Sequence, residues 1–203
     1  MKEISLDEGL LVLQKDIGHM RDTTPLITVA IAGGSASGKS HLARLLCEMY
    51  NGHASHLPLD DYYLNESERP EHLGDNYDHP ACFDFPLLAE HLHLLKAGKS
   101  IEKPIYHYTG KREGYELFFP QPLIVLEGLY SLHESLLSRL DLKIFIEAPE
   151  KVRLERRLLR DIHERGKSFE GTKRRWIRTV EPMYQRYVLP QKKYAQFILL
   201  NSH

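Results

Sequence analysis

The sequence predicts an α/β fold, a doubly wound parallel sheet, and three observations predict it. Apolar runs of strand length recur at "LITVAIA" (26–32), "ASHLPLD" (54–60), "LIVLEGLY" (123–130), "LKIFIEA" (142–148) and "AQFILL" (195–200). Such runs suit strands buried on both faces. Between them lie helical patterns at 39–50, 86–98, 132–139 and 150 to about 165, and alternation of strand and helix argues for parallel βαβ connections. The third observation is "AIAGGSASGKSH" (30–41), three glycines, three serines and a lysine set between the first apolar run and the first of these helical patterns.

Taken in order, residues 4–18 place Ile4, Leu10, Leu11, Leu13 and Ile17 in an amphipathic pattern, read as a helix within an N-terminal extension over 1–22. Gly33-x-x-x-x-Gly38-Lys39-Ser40 fits a phosphate-binding P-loop placed where its mechanism needs it, after a strand and before a helix. Glycines let successive backbone N–H groups turn toward an anion, and the helix N-terminus adds its positive dipole end. Gly33, Gly34, Ser35, Ala36, Ser37, Gly38, Lys39, Ser40 and His41 are therefore the nucleotide-binding set, with Lys39 reaching the β- and γ-phosphates and Ser40 a Mg²⁺ ligand.

Pro86 suits a first helical turn and Gly98 a helix end, which frames the helix at 86–98. The stretch "IEKPIYHYTGKREGYELFFP" (101–120) reads as a hairpin turning about Thr109-Gly110. "LPLDDYY" puts Asp60 and Asp61 at the end of the second strand, on the edge where open parallel sheets bind ligands; one of them can orient and deprotonate an acceptor hydroxyl, and a solvated turn is the ordinary alternative. Glu127 likewise ends a strand, as a Mg²⁺ ligand or a salt-bridged acid.

Residues 151–178 hold eleven of the 27 Lys and Arg against four Asp and Glu, although the net charge is only −1. Arg153, Arg156, Arg157 and Arg160 recur at helical spacing and either close as a cationic lid over a triphosphate or form a solvated helix paired with Glu155, Asp161 and Glu164. The basic residues are confined to one segment without a stacking platform, which argues against a nucleic-acid partner. The 203 residues are expected to form a single domain.

Cys47 and Cys82 show no zinc or disulfide spacing and read as reduced, buried thiols of a cytoplasmic protein. No apolar stretch approaches the roughly 20 residues of a membrane span. His91 and His93, two apart on a helix, diverge and read as structural or surface residues rather than metal ligands.

In order and spacing, "GGSASGKS", "LDDYY", "NYDHPACFDF" (76–85), "KPIYHY" (103–108), "LEGLY", "RRLLRDIHERGK" and "EPMYQRYVLPQKKYA" (181–195) resemble the uridine kinase family of P-loop kinases. The resemblance implies transfer of the γ-phosphoryl group of ATP or GTP, with Mg²⁺, to the 5′-hydroxyl of uridine or cytidine in pyrimidine salvage. It implies Asp60 as the acid–base residue and Ser40, Glu127 and Asp60 around Mg²⁺. It also implies Asp78 at the ribose hydroxyls, Tyr106 in the base pocket, and Arg157 and Arg160 as lid arginines beside Lys39 in catalysis. Lys167 and Arg175 stand where an Arg and a Gln would approach the acceptor, and His107 stands where family members carry an Asp. A small-molecule acceptor, no membrane partner and compatibility with a homo-oligomer follow from the same likeness. The residues leave open a kinase of another hydroxyl acceptor, such as another riboside, pantothenate or a sugar phosphate, and a nucleotide-dependent switch.

Overall fold

The computed structural model describes residues 2–107 and 110–202. Its central sheet has six parallel strands, in spatial order β1 (Lys2–Ser5), β8 (Phe197–Leu200), β7 (Leu142–Glu147), β2 (Ile27–Gly33), β6 (Leu123–Glu127) and β3 (Ala54–Pro58). β2 is buried along its whole length, as an unbroken apolar run at the centre of a sheet covered on both faces requires. One face packs α1 (Leu6–Arg21) and α2 (Lys39–Met49) over Ile27, Val29 and Ile31. The opposite face packs α3 (Phe85–Lys96) and the 3₁₀ stretch Glu134–Arg139 over Ala30, Ile124 and Leu126. No helix among the described residues is long and apolar enough to cross a membrane.

Residues 2–5, with Ile4 in the pattern read as helical, form a strand, and the helix begins only at Leu6. The Ser5 side chain accepts from Glu8 N at 3.3 Å and so caps α1. Two strands stop earlier than their apolar runs: β3 at Pro58, where Leu59–Tyr62 turn into a 3₁₀ helix, and β6 at Glu127. Gly128 follows at φ 157°, where a Cβ would lie 2.4 Å from Leu59 Cβ. Asp60 therefore sits in a turn beyond the strand.

β4 (Ile101–Tyr106) and β5 (Arg112–Phe118) form the expected antiparallel hairpin, with an irregularity between Ile105 and Tyr106. Part of its turn, Tyr108 and Thr109, lies outside the described residues. The cationic segment folds as α4 (Glu150–His163) and α5 (Phe169–Arg175). It continues through π-helical turns at Trp176–Val180 and Tyr184–Val188. Cys82 is buried, whereas Cys47 is only half-buried.

Candidate active site

Parallel pairing aligns the site. Glu127, the last residue of β6, pairs with Ile31 on one side and Pro58 on the other. A single carboxylate thereby stands between the strand that leads into the P-loop and the strand that leads into Asp60, at the carboxyl edge of the sheet.

The loop demands glycine for identifiable reasons. A Cβ on Gly33 would stand 2.4 Å from Ile146 O, and Gly38, at φ 105°, would put one 2.4 Å from Asn201 Nδ2. α2 starts directly after Gly38 with no side-chain cap, leaving its first N–H groups for an anion. The Ser37 hydroxyl is buried without a hydrogen-bond partner, and Lys39 Nζ donates to Gly34 O at 2.8 Å, folded back on the loop. Burial lowers the Lys39 pKa, although Glu127 and Asp60 oppose the shift; a triphosphate would restore the charged form.

Ser40 Oγ donates to Glu127 Oε1 at 3.0 Å, and His56 Nε2 stands 3.5 Å from the same oxygen. Burial pushes the Glu127 carboxyl up, but His56, Lys39 and Ser40 together hold it below its ordinary value. A hydroxyl and an ionised carboxylate are hard oxygen donors of the kind Mg²⁺ takes one or two at a time, completing its shell with phosphate oxygens and water. No cluster of three or more His, Cys, Asp or Glu able to hold a metal occurs among the described residues. The two neighbouring aspartates part company. Both line the cleft, but Asp61 is ion-paired with Lys103 of β4, whereas Asp60 acts on Lys39.

Also in the cleft, Asp78 is buried and its Oδ2 accepts from Thr179 Oγ1 at 3.0 Å. Tyr106 is stacked on Tyr63, with ring centroids 5.0 Å apart, and Tyr63 lies against Phe83 at 4.2 Å. Tyr77 completes this aromatic wall, with the Arg69 guanidinium 3.8 Å above its ring.

From α4, Arg157 Nη1 donates to Ser35 Oγ at 2.8 Å, and Arg160 donates through Nε and Nη2 to Asp161 Oδ1 at 3.0 and 2.9 Å. Burial pushes the Arg157 pKa down, while Asp78 and Asp161 oppose it. Lys167 is lowered by desolvation, with Asp161 opposing and Arg175 reinforcing the shift. Arg153 turns away from the cleft: it is buried, pairs with Glu181 at 2.9 Å and lies 3.9 Å over the Tyr184 ring.

One cleft of about 1220 Å³ joins these groups. Ser35, Ala36, Gly38, Lys39, Ser40, His41, Asp60, Asp78, Tyr106, Glu127, Arg157, Arg160, Lys167 and Arg175 line it. Gly33, Gly34 and Ser37 do not line it and shape the loop from behind. Arg156, already named among the arginines of α4, lines the cleft as well, whereas sequence reasoning gave Tyr63, Tyr77 and Asn201 no role there. Tyr63 and Tyr77 each stand inside a motif already singled out, whereas Asn201 carries no local signal.

A family profile described as Phosphoribulokinase / Uridine kinase family matches residues 28–201. The uridine kinase of Bacillus cytotoxicus is 39% identical over 183 residues, covering 87% of this chain and 86% of that protein. The uridine kinase of Ligilactobacillus salivarius is 40% identical over 185 residues, 88% and 86% of the two chains. The phosphoribulokinase structure from Rhodobacter spheroides superposes with a TM-score of 0.64 at 16% identity, covering 87% of this chain and 70% of that one, a likeness of fold. With a profile spanning the P-loop, the sheet from β2 onward and the cationic helices, and relatives of that identity along most of its length, the chain belongs to the Phosphoribulokinase / Uridine kinase family.

Proposed function

We propose that this protein is a uridine kinase, transferring the terminal phosphoryl group of ATP or GTP to the 5′-hydroxyl of a pyrimidine ribonucleoside in the cytoplasm. The observation that carries the reading is one cleft lined by a P-loop lysine, Lys39, by the acids Asp60 and Glu127 beyond and at the ends of their strands, and by a polar and aromatic wall of Asp78, Tyr106, Tyr63 and Tyr77. The uridine kinase relatives, at 39% and 40% identity, support the choice of acceptor.

In this reading the P-loop N–H groups and Lys39 hold the triphosphate, and Ser40, Glu127 and Asp60 would hold Mg²⁺, which would supply charge neutralisation of the phosphates. Asp78 receives the ribose hydroxyls, and Tyr106 lies against the base. Asp60 orients the 5′-hydroxyl and takes its proton as the new O–P bond forms and the bond to the β-phosphate oxygen breaks. Arg157 and Arg160 meet charge on the transferring group, and their approach excludes water. A second reading, an anionic acceptor such as a sugar phosphate, is favoured by Lys167, Arg165 and Arg175 in the same cleft.

An ADP-release assay with ATP and Mg²⁺ across nucleosides and sugar phosphates tests both. Turnover of uridine and cytidine is expected; activity on a sugar phosphate alone would refute the nucleoside reading.

A further inference from the structure

The N-terminal unit β1–α1 precedes the residues matched by the family profile, which begin at 28, yet it reaches the cleft. β1 runs parallel to β8 with Ser5 opposite Leu200. Both strands therefore end at the carboxyl edge of the sheet, and the residues that follow them, Leu6 and Asn201, emerge side by side and line the cleft. The Asn201 side chain is committed to the P-loop: its Nδ2 donates to Ser37 O at 2.8 Å and its Oδ1 accepts from Arg156 Nη2 at 3.1 Å. Leu6 presents the apolar surface beside that brace.

The direction of the donor nucleotide follows from the geometry of the site. In-line transfer needs the terminal phosphate to face the acceptor wall of Asp60, Asp78 and Arg160. The rest of the nucleotide then extends away from that wall, and the loop residues Ser37 and Gly38 adjoin Asn201, beside which the register sets Leu6. A nucleobase has two apolar faces and binds best where one of them is covered by apolar surface.

We propose that Leu6, delivered by the parallel pairing of β1 with β8, is the apolar wall against which the base of the donor nucleotide rests. The N-terminal unit is thus part of the donor site as well as cover for the sheet. This rests on the reading of the P-loop as a triphosphate site, and the test separates the two.

Calorimetric titration of the full chain, without acceptor, uses two probes: a non-hydrolysable β,γ-imido analogue of ATP, and inorganic tripolyphosphate, which has no base. Leu6→Ala is expected to weaken the analogue by about three- to tenfold while leaving tripolyphosphate unchanged, and Leu6→Met to restore the analogue. Leu10→Ala, which removes a neighbouring apolar residue of α1 packed on the same core but outside the cleft, is expected to lower Tm without moving either affinity. An unchanged analogue affinity in Leu6→Ala, or equal losses for both probes, would overturn the proposal. Failure of the wild type to bind either probe would remove the triphosphate reading and the proposal with it.

Discussion

Lys103 of the hairpin is ion-paired with Asp61, the residue next to Asp60, and its Nζ also lies 2.8 Å from Glu116 Oε1. Burial pushes the Asp61 carboxyl up and Lys103 partly offsets it. The pair ties the strand that ends in Tyr106 to the turn that holds Asp60, so acceptor pocket and reacting end are positioned together. Lys103→Met is expected to cost about 3 kcal/mol of stability and to raise the acceptor KM while leaving nucleotide affinity unchanged. Denaturant unfolding and steady-state kinetics check both, and Lys103→Met with Asp61→Asn should recover part of the loss, since no charge is then stranded.

Asp60→Asn keeps the shape of the side chain and removes its ability to take a proton. Turnover should fall by about 10²-fold or more, with nucleotide binding intact by calorimetry. Asp61→Asn should act mainly on stability and acceptor KM. The reverse ranking would transfer the acid–base role to Asp61.

Arg160→Ala is expected to lower kcat by on the order of 10³-fold with little change in nucleotide KM, because the charge it meets develops only as the phosphoryl group transfers. Equal losses in kcat and affinity would mark it instead as an ordinary binding residue.

Asp161 is buried beneath the lid arginines. Burial pushes its carboxyl up, but Arg157 and Arg160 hold it below its ordinary value of 3.8. The folded protein therefore keeps this charge at a pH where the unfolded chain has lost it. The stabilisation is complete above the ordinary carboxylate range and disappears as pH falls through the folded value. Tm should drop on acidification below about pH 4. Asp161→Asn should lower Tm at neutral pH and flatten that acid limb; an unchanged limb would place the responsible carboxylate elsewhere, Glu127 and Glu134 also being held below their ordinary values.

Asp78, oriented by Thr179 Oγ1 at 3.0 Å, is suited to accept from vicinal hydroxyls. Ribonucleosides should outcompete 2′-deoxyribonucleosides in kcat/KM by about 10²-fold or more, and Thr179→Val should narrow the ratio. Equal use of both sugars would remove Asp78 from ribose recognition.

The P-loop, the strands through Glu127 and the arginine-rich helix α4 were legible because each depends on short-range pattern: glycine spacing, unbroken apolar runs, arginines at helical intervals. β1 was not, because four residues with one large apolar side chain, Ile4, carry no periodicity of their own and become a strand only beside β8. The division of labour among the arginines was equally hidden. Arg153 and Arg157 lie four apart on one helix, yet the first is held by Glu181, Tyr184 and Trp176 and the second faces Ser35. Only the fold of residues 176–184 separates them. Asp60 and Asp61 are also indistinguishable until the hairpin brings Lys103 to one of them.

The pairing of Lys2–Ser5 with Phe197–Leu200 has a bearing on how the chain is made. Translation produces β1 long before β8, so β1 has no strand to pair with until β8 has been made. Closing so long a loop is slow and leaves backbone donors and acceptors uncovered in the meantime. The edge of the sheet is consequently a last-assembled part, and substitutions that weaken it should show first as aggregation during expression, before any loss of activity in the molecules that finish folding.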